Sequence, residues 1–362
     1  MPARATLAAY VYNGWHPCAE RDRHFGAGWT EWELVRAARP LFQGHVPPAG
    51  PAAGSYDDRE PAVWDARIAT ARRHGVDVLV SGWFWSRGKL VFERALLDGF
   101  LRCERQHELR FAVFWANRMP HRVLPLREID PSAPPRYRRV FSDPDDFVAL
   151  LRDCGERFFR HDAYWRIGGA PYFAIFDTTL FLLQMGAARA AAAIARAKDA
   201  LGGLHLVAID PDTPWRPRLR ELGFDAVSHY VRLPIWKGGP RQQDYAELAA
   251  QREAEWAGWA RDCALPYYPS VAAGWDATPR GVWHPHSTPD RFPWAPVVTG
   301  ATPERFARHL RAAEDWTLAQ HGAGAPLFVA SWNEWSEGHA IEPSRSDGDA
   351  LLRALGRGAA RE

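Results

Sequence analysis

Short apolar runs recur along the whole chain, with amphipathic stretches between them. They are LAAYVYNGW (7–15), VDVLVSGWFW (76–85), LRFAVFWANR (109–118), PYFAIFD (171–177), LHLVAID (204–210), FDAVSHYV (224–231), YYPSVAAGW (267–275) and PLFVASWNEW (326–335). Each is nearly continuous and rich in β-branched or aromatic residues, the pattern of parallel strands covered on both faces. Segments 62–75, 143–159, 187–203 and 303–322 space their apolar residues at helical intervals instead, and the first ends on Gly75, a helix stop. Eight strand–helix alternations in 362 residues predict an α/β fold of the (β/α)8 TIM-barrel type, one catalytic domain over 1–362. A doubly wound open sheet would want a glycine-rich phosphate turn after an early strand, and the first run leads into YNGWHP instead.

The loops are unequal in the way a barrel requires. Helix-to-strand connections are short, whereas segments 16–60, 119–143 and 276–302 make long strand-to-helix excursions. Barrel sites are built from those βα loops at the C-terminal ends of the strands. Reading the strand ends alone gives Tyr10 and Trp15, Trp83 and Trp85, Trp115 and Asn117, Asp177, Asp210, His229 and Tyr230, Trp275 and Asp276, then Asn333, Glu334, Trp335 and Glu337.

Aromatic faces alternating with amides and carboxylates suit an oligosaccharide or polysaccharide substrate. Pyranose C–H faces stack on rings, and hydroxyls bond to amides and carboxylates. Asp177 and Asp210 read equally well as helix caps or as partners of a buried arginine. His284 and His286, in HPHS, have the look of a metal pair but sit in a proline-rich loop and read as solvated.

Composition removes several alternatives. A net charge of +2 with both signs interspersed leaves no basic face for nucleic acid. The four cysteines, Cys18, Cys103, Cys154 and Cys263, form no CxxC pair, so neither a zinc site nor a disulfide scaffold is signalled. No run of 18 apolar residues predicts a membrane span, and the opening MPARATLAAYVYNGW lacks a secretory apolar region, so a cytoplasmic location is expected. The 18 tryptophans are the unusual count, since indole is favoured where a flat apolar face meets a ligand.

The densest chemistry is SWNEWSEGHAIEPS (331–344). Carboxylates beside tryptophans at a strand exit make either an ion-pair network or a sugar site. Glycosidic cleavage needs two carboxyl groups, one delivering a proton to the leaving oxygen and one assisting at the sugar. Glu334 and Glu337 would fall on opposite faces of a regular strand, but a turn after Asn333, eased by Gly338, brings residues i and i+3 within about 7 Å at Cα. Trp332 and Trp335 are expected to desolvate one of the acids and raise its pKa. This chemistry needs no cofactor and no metal.

At these residues the chain resembles the endo-α-mannosidases of glycoside hydrolase family 99, and more closely the WbsX-like group found in bacterial polysaccharide gene clusters. The matching pieces are YVYNGWHP, GAGWTEW (26–32), PLFQGHVPP (40–48), FWANR (114–118), GWDATPR (274–280) and SWNEWSEGHAIEP (331–343). The resemblance implies a retaining hydrolase acting on α-mannosidic linkages through a 1,2-anhydro sugar. It gives Glu334 the role of base on the sugar's 2-hydroxyl and Glu337 that of acid and then base at the leaving group. Tyr10, Trp275, Asp276, Asn333 and Trp335 would line the pocket, together with Trp29, Glu31 and Trp32 of WTEW. Departures fall at YNGWHP and at Arg118-Met119-Pro120, where the sugar should sit. The WbsX-like group has also been described as glycosyltransferases, so a transferase or transglycosylase of cell-surface polysaccharide is the alternative.

Overall fold

The computed structural model describes residues 3–119, 138–139, 143–282 and 290–356. His284 and His286 lie outside them. Nine strands form one parallel sheet: β1 (Thr6–Val11), β2 (Val78–Ser86), β3 (Arg110–Trp115), β4 (Ala170–Ile175), β5 (His205–Ile209), β6 (Ala226–Ser228), β7 (Tyr267–Tyr268), β8 (Ser270–Ala272) and β9 (Pro326–Ala330). Their lateral order is β7-β6-β5-β4-β3-β2-β1-β9-β8. β7 and β8 are consecutive pieces of one segment interrupted at Pro269, so the two edges of the sheet meet through the chain itself. Proline lacks the N–H that the ladder needs, which explains the interruption. Its carbonyl still accepts from the Phe328 N–H at 2.9 Å. The sheet is therefore barrel-shaped, as the spacing of apolar runs predicts.

Helices α1 (Ala19–Phe25) and α2 (Trp32–Ala37) lie in the long first loop, and α3 (Pro61–Arg73), α4 (Pro144–Cys154), α5 (Thr178–Met185), α6 (Ala187–Leu201), α7 (Tyr245–Cys263) and α8 (Pro303–His321) follow. Their starts are written locally. Asp143 accepts from the N–H groups of Asp145 and Asp146, with Pro144 at the first helical position, and Thr302 caps α8 ahead of Pro303 in the same way. Asp177 caps α5 through the Leu180 N–H. Among the described residues no single helix is long and apolar enough to cross a membrane.

Several strands are shorter than their apolar runs, two of them next to the acidic turn. β1 stops at Val11 rather than continuing to Trp15, and β9 stops at Ala330 rather than at Trp335. Beyond Ala330 the Ser331 N–H leaves the ladder for the His339 carbonyl at 2.9 Å, while the Trp332 N–H still reaches β1 at the Tyr10 carbonyl, 2.7 Å away. The chain folds back on itself there.

Candidate active site

The turn after β9 is set by Gly338. Its φ of 66° is a left-handed conformation that glycine tolerates, and a Cβ there would lie 2.8 Å from the Cβ of Asp276. The close approach lets the Asp276 N–H donate to the Glu337 carbonyl at 2.8 Å. Residues 335–337 form a single tight turn, and both acidic side chains point to one place. That place is occupied by Arg280.

Arg280 Nη2 donates to Glu334 Oε1 at 2.8 Å and to Glu31 Oε2 at 3.1 Å, while its Nη1 bonds to Glu337 Oε1. Its Nε donates to Ser336 Oγ at 3.1 Å, and that hydroxyl donates on to Glu31 Oε2 at 2.5 Å. Glu31 is held from its other side by Arg21 and the Tyr12 hydroxyl. Two guanidinium groups thus face three carboxyls, whose side chains are 1% (Glu31), 5% (Glu334) and 13% (Glu337) exposed. The ion-pair network and the acidic pair expected of a sugar site are one structure.

This arrangement separates the protonation states. Burial, with the Glu337 charge close by, pushes the Glu334 carboxyl well above the ordinary range against the pull of Arg280. Burial acts on Glu31 in the same sense, but Arg280 and Arg21 override it and hold that carboxyl down to about 2. A proton resting on Glu334 removes one negative charge from beside the two guanidinium groups. The Tyr230 hydroxyl donates to Glu334 Oε2 at 3.1 Å, and His339 Nε2 lies 3.2 Å from Glu337 Oε2. Arg280 lies in GWDATPR, so the motif was visible, but its partners were not. Tyr12 likewise lies in YVYNGWHP, whereas no sequence pattern pointed to Arg21.

Trp332 and Trp335 also hold a further acid. Their indole N–H groups donate to the two oxygens of Glu342 at 3.1 and 3.0 Å, and the Tyr56 hydroxyl donates to the same carboxylate at 2.8 Å. Glu342 clamps the turn from behind. Asn333 is also an anchor. Its amide oxygen accepts from the Tyr12 N–H at 2.8 Å and its amide nitrogen donates to the Tyr12 carbonyl at 3.0 Å. Trp15 donates to the Asn333 carbonyl at 3.0 Å and stacks on Trp32 with ring centroids 3.8 Å apart. Trp29 stacks on Phe25, with the Arg21 guanidinium 5.3 Å from its ring.

Of the other residues expected from the sequence, Tyr230, Trp275 and Asp276 border the acids. Trp275 stacks on His339 at 5.4 Å, and Asp276 accepts from or pairs with His45 Nε2 at 2.9 Å. Tyr10 lies beneath, its ring packed on Phe328 and Tyr230 inside the barrel. The structure sends another group to the helix layer. Trp83 packs on Phe158, Trp115 on Phe147 and Phe181, and His229 on Trp259 of α7. Trp85 donates to Asp146 of α4 at 2.8 Å. Asn117 exchanges two hydrogen bonds with the Asp177 backbone, and Asp177 also pairs with Arg118. Asp210 bonds to His229.

Among the described residues, His16, Asp57 and Asp58 bring three metal-type ligand atoms within 4.8 Å of one another. They are already satisfied: His16 Nδ1 is 2.5 Å from Asp58 Oδ1, and Arg59 bonds to both oxygens of Asp57.

The sequence profile of the family described as glycosyltransferase WbsX matches residues 7–355, nearly the whole chain. The chain belongs to that WbsX family. A curated relative, the uncharacterized protein WxcX of Xanthomonas campestris pv. campestris strain B100, is 28% identical over 368 residues, covering 97% of this chain and 49% of its own. The chain thus spans about half the length of the curated relatives it matches. Among solved structures, a GH99 endo-alpha-mannosidase from Bacteroides thetaiotaomicron superposes with a TM-score of 0.61 at 17% identity, covering 97% of this chain and 96% of that one. A glycoside hydrolase-like protein gives 0.63 at 15% identity over 100% and 97%. At these identities the likeness is one of fold, and it places this WbsX member among TIM barrels.

Proposed function

We propose that the chain acts on glycosidic bonds, as a retaining glycoside hydrolase of the endo-α-mannosidase type on a glycan of mannose or a related sugar. The observation that carries this is the meeting of Glu334 and Glu337 on one guanidinium at the C-terminal end of the barrel. Glu334, its carboxyl raised by burial and by Glu337, is a stronger base than an ordinary carboxylate once it ionises. That suits removal of a proton from the sugar's 2-hydroxyl, whose oxygen then closes on the anomeric carbon as the leaving oxygen departs. Glu337, the more exposed of the two, protonates that oxygen and later activates the water that opens the 1,2-anhydro ring. For this Glu337 must acquire a proton, so the substrate has to part it from Arg280.

The test is Glu337→Gln. The kcat/KM on unactivated glycosides should fall by about 10²–10⁴-fold, while the kcat/KM on aryl glycosides with good leaving groups, whose first step needs no proton, is spared. Equal loss on both substrates would end this assignment.

The family's description favours a second reading, a glycosyltransferase or transglycosylase of cell-surface polysaccharide. Asp210-Pro211-Asp212, at the end of β5, also has the DxD spacing with which metal–nucleotide sites are built, although Asp210 is engaged by His229. Calorimetry with a panel of nucleotide sugars, with and without Mn²⁺, separates the two. Saturable binding together with an inert response to glycans supports the transferase.

A further inference from the structure

Trp236 is 46% exposed, whereas most indoles of the chain are buried. Its ring meets that of Trp275 edge to face, with centroids 4.6 Å apart and an interplanar angle of 85°. Trp275 in turn stacks on His339, at 5.4 Å and 12°, and His339 Nε2 reaches Glu337. A line of three rings therefore runs from one catalytic carboxyl out to solvent, and Trp236 ends it.

The loop that carries Trp236 is pinned. The buried Gln243 side chain accepts from the Ile235 N–H at 2.8 Å and donates to the carbonyls of Ile235 and Pro240, both at 3.0 Å. Gln243 is itself fixed in a short parallel pairing of 242–244 with 297–299. At Gly239 a Cβ would stand 2.8 Å from the Gln243 amide nitrogen, so the turn closes only without a side chain there. A wet, apolar indole held in one place by buried hydrogen bonds has its ordering cost met before any ligand arrives.

We propose that Trp236 is the platform of a sugar subsite on the Glu337 side of the scissile bond, where a pyranose of the leaving-group portion lays its C–H face on the indole. The inference rests on the role given above to Glu337. It adds that the glycan extends outward past Trp275, so the leaving group is a chain of sugars rather than a small aglycone.

Binding to the Glu337→Gln protein, in which turnover is suppressed, is the test. The probes are a mannose-configured iminosugar, small enough to fill only the space between the acids, and a panel of α-linked mannose and 6-deoxymannose tetrasaccharides. Adding Trp236→Ala should weaken the best tetrasaccharide by roughly tenfold, about the worth of one aromatic contact, and leave the iminosugar within about twofold. Trp236→Phe should restore most of the loss. An unchanged tetrasaccharide affinity overturns the subsite and leaves the hydrolase reading standing, and an equal loss for both probes does the same by showing a purely structural role. If the Glu337→Gln protein binds neither probe, the hydrolase reading fails and the subsite with it.

Discussion

Replacing Arg280 by Met keeps much of the side chain's bulk and removes its charge. Three carboxyls then lose a shared partner: Glu31, Glu334 and Glu337, which the guanidinium touches through Nη1 and Nη2. Glu31 retains Arg21, Tyr12 and Ser336, so the burden falls on Glu334 and Glu337. Leaving one member of a buried ion pair without its partner costs about 3–5 kcal/mol, and we expect that loss at pH 8, where Glu334 is driven toward ionisation. Without Arg280 the Glu334 carboxyl, already raised, moves further above its unfolded value, so the folded variant binds more protons and gains stability as pH falls. At pH 5 Glu334 holds its proton and the cost should shrink to about 1–2 kcal/mol, the worth of the lost hydrogen bonds. In the parent, Glu334 already acts in that same sense and Glu31 in the opposite one. Glu31, at about 2, contributes stability that is present above the ordinary value of 4.5 and is lost as pH falls through about 2. Urea unfolding followed by tryptophan fluorescence at both pH values measures the difference. A loss below about 1 kcal/mol, or one of equal size at pH 5 and pH 8, would show that Arg280 does not compensate these acids.

Further substitutions test the frame of the site. Gly338→Ala should cost about 1–3 kcal/mol, because its φ of 66° is unfavourable and the new methyl meets Asp276; activity should fall with it as Glu337 is displaced, and an unchanged urea midpoint would contradict this. Glu342→Ala strands two indole N–H groups and the Tyr56 hydroxyl, so we expect a loss of about 3 kcal/mol or more and an altered near-ultraviolet circular dichroism spectrum; a spectrum identical to the parent's would refute the clamp. Tyr230→Phe removes one donor from Glu334 and should shift the limb of the kcat/KM profile that reports this acid upward in pH, since the hydrogen bond favours its ionised form. A shift in the opposite direction would exclude Tyr230 as a stabiliser of that anion.

Much of this was legible in the residue pattern. Apolar runs bounded by turn residues located the strands, because a parallel strand covered on both faces must be apolar throughout. The same property hid which face each side chain takes. Trp83 and Trp115 look like pocket residues at the ends of β2 and β3, yet they face helices, while Tyr10 and Tyr230 face the interior. Alternation distinguishes the two sides only when one is polar. Glu334 and Glu337 could be found because three-residue spacing and Gly338 are local. Arg280 and Glu31 could not be joined to them, since Arg280 reaches Glu334 across 54 positions and Glu31 across 249. Pairings of that range are decided by the closure of the barrel rather than by nearby sequence.

Pro269 leaves the wall thinnest where β7 and β8 divide one ring position. β7 is matched to β6 at two residues and β8 to β9 at three, against six between β2 and β3. The strand piece above this seam leads straight into the segment bearing Arg280. We expect breathing to begin there, freeing the guanidinium from its anions while the opposite staves stay shut. Faster deuterium uptake at Ser270–Ala272 than at Val78–Ser86 is the trace such a hinge would leave.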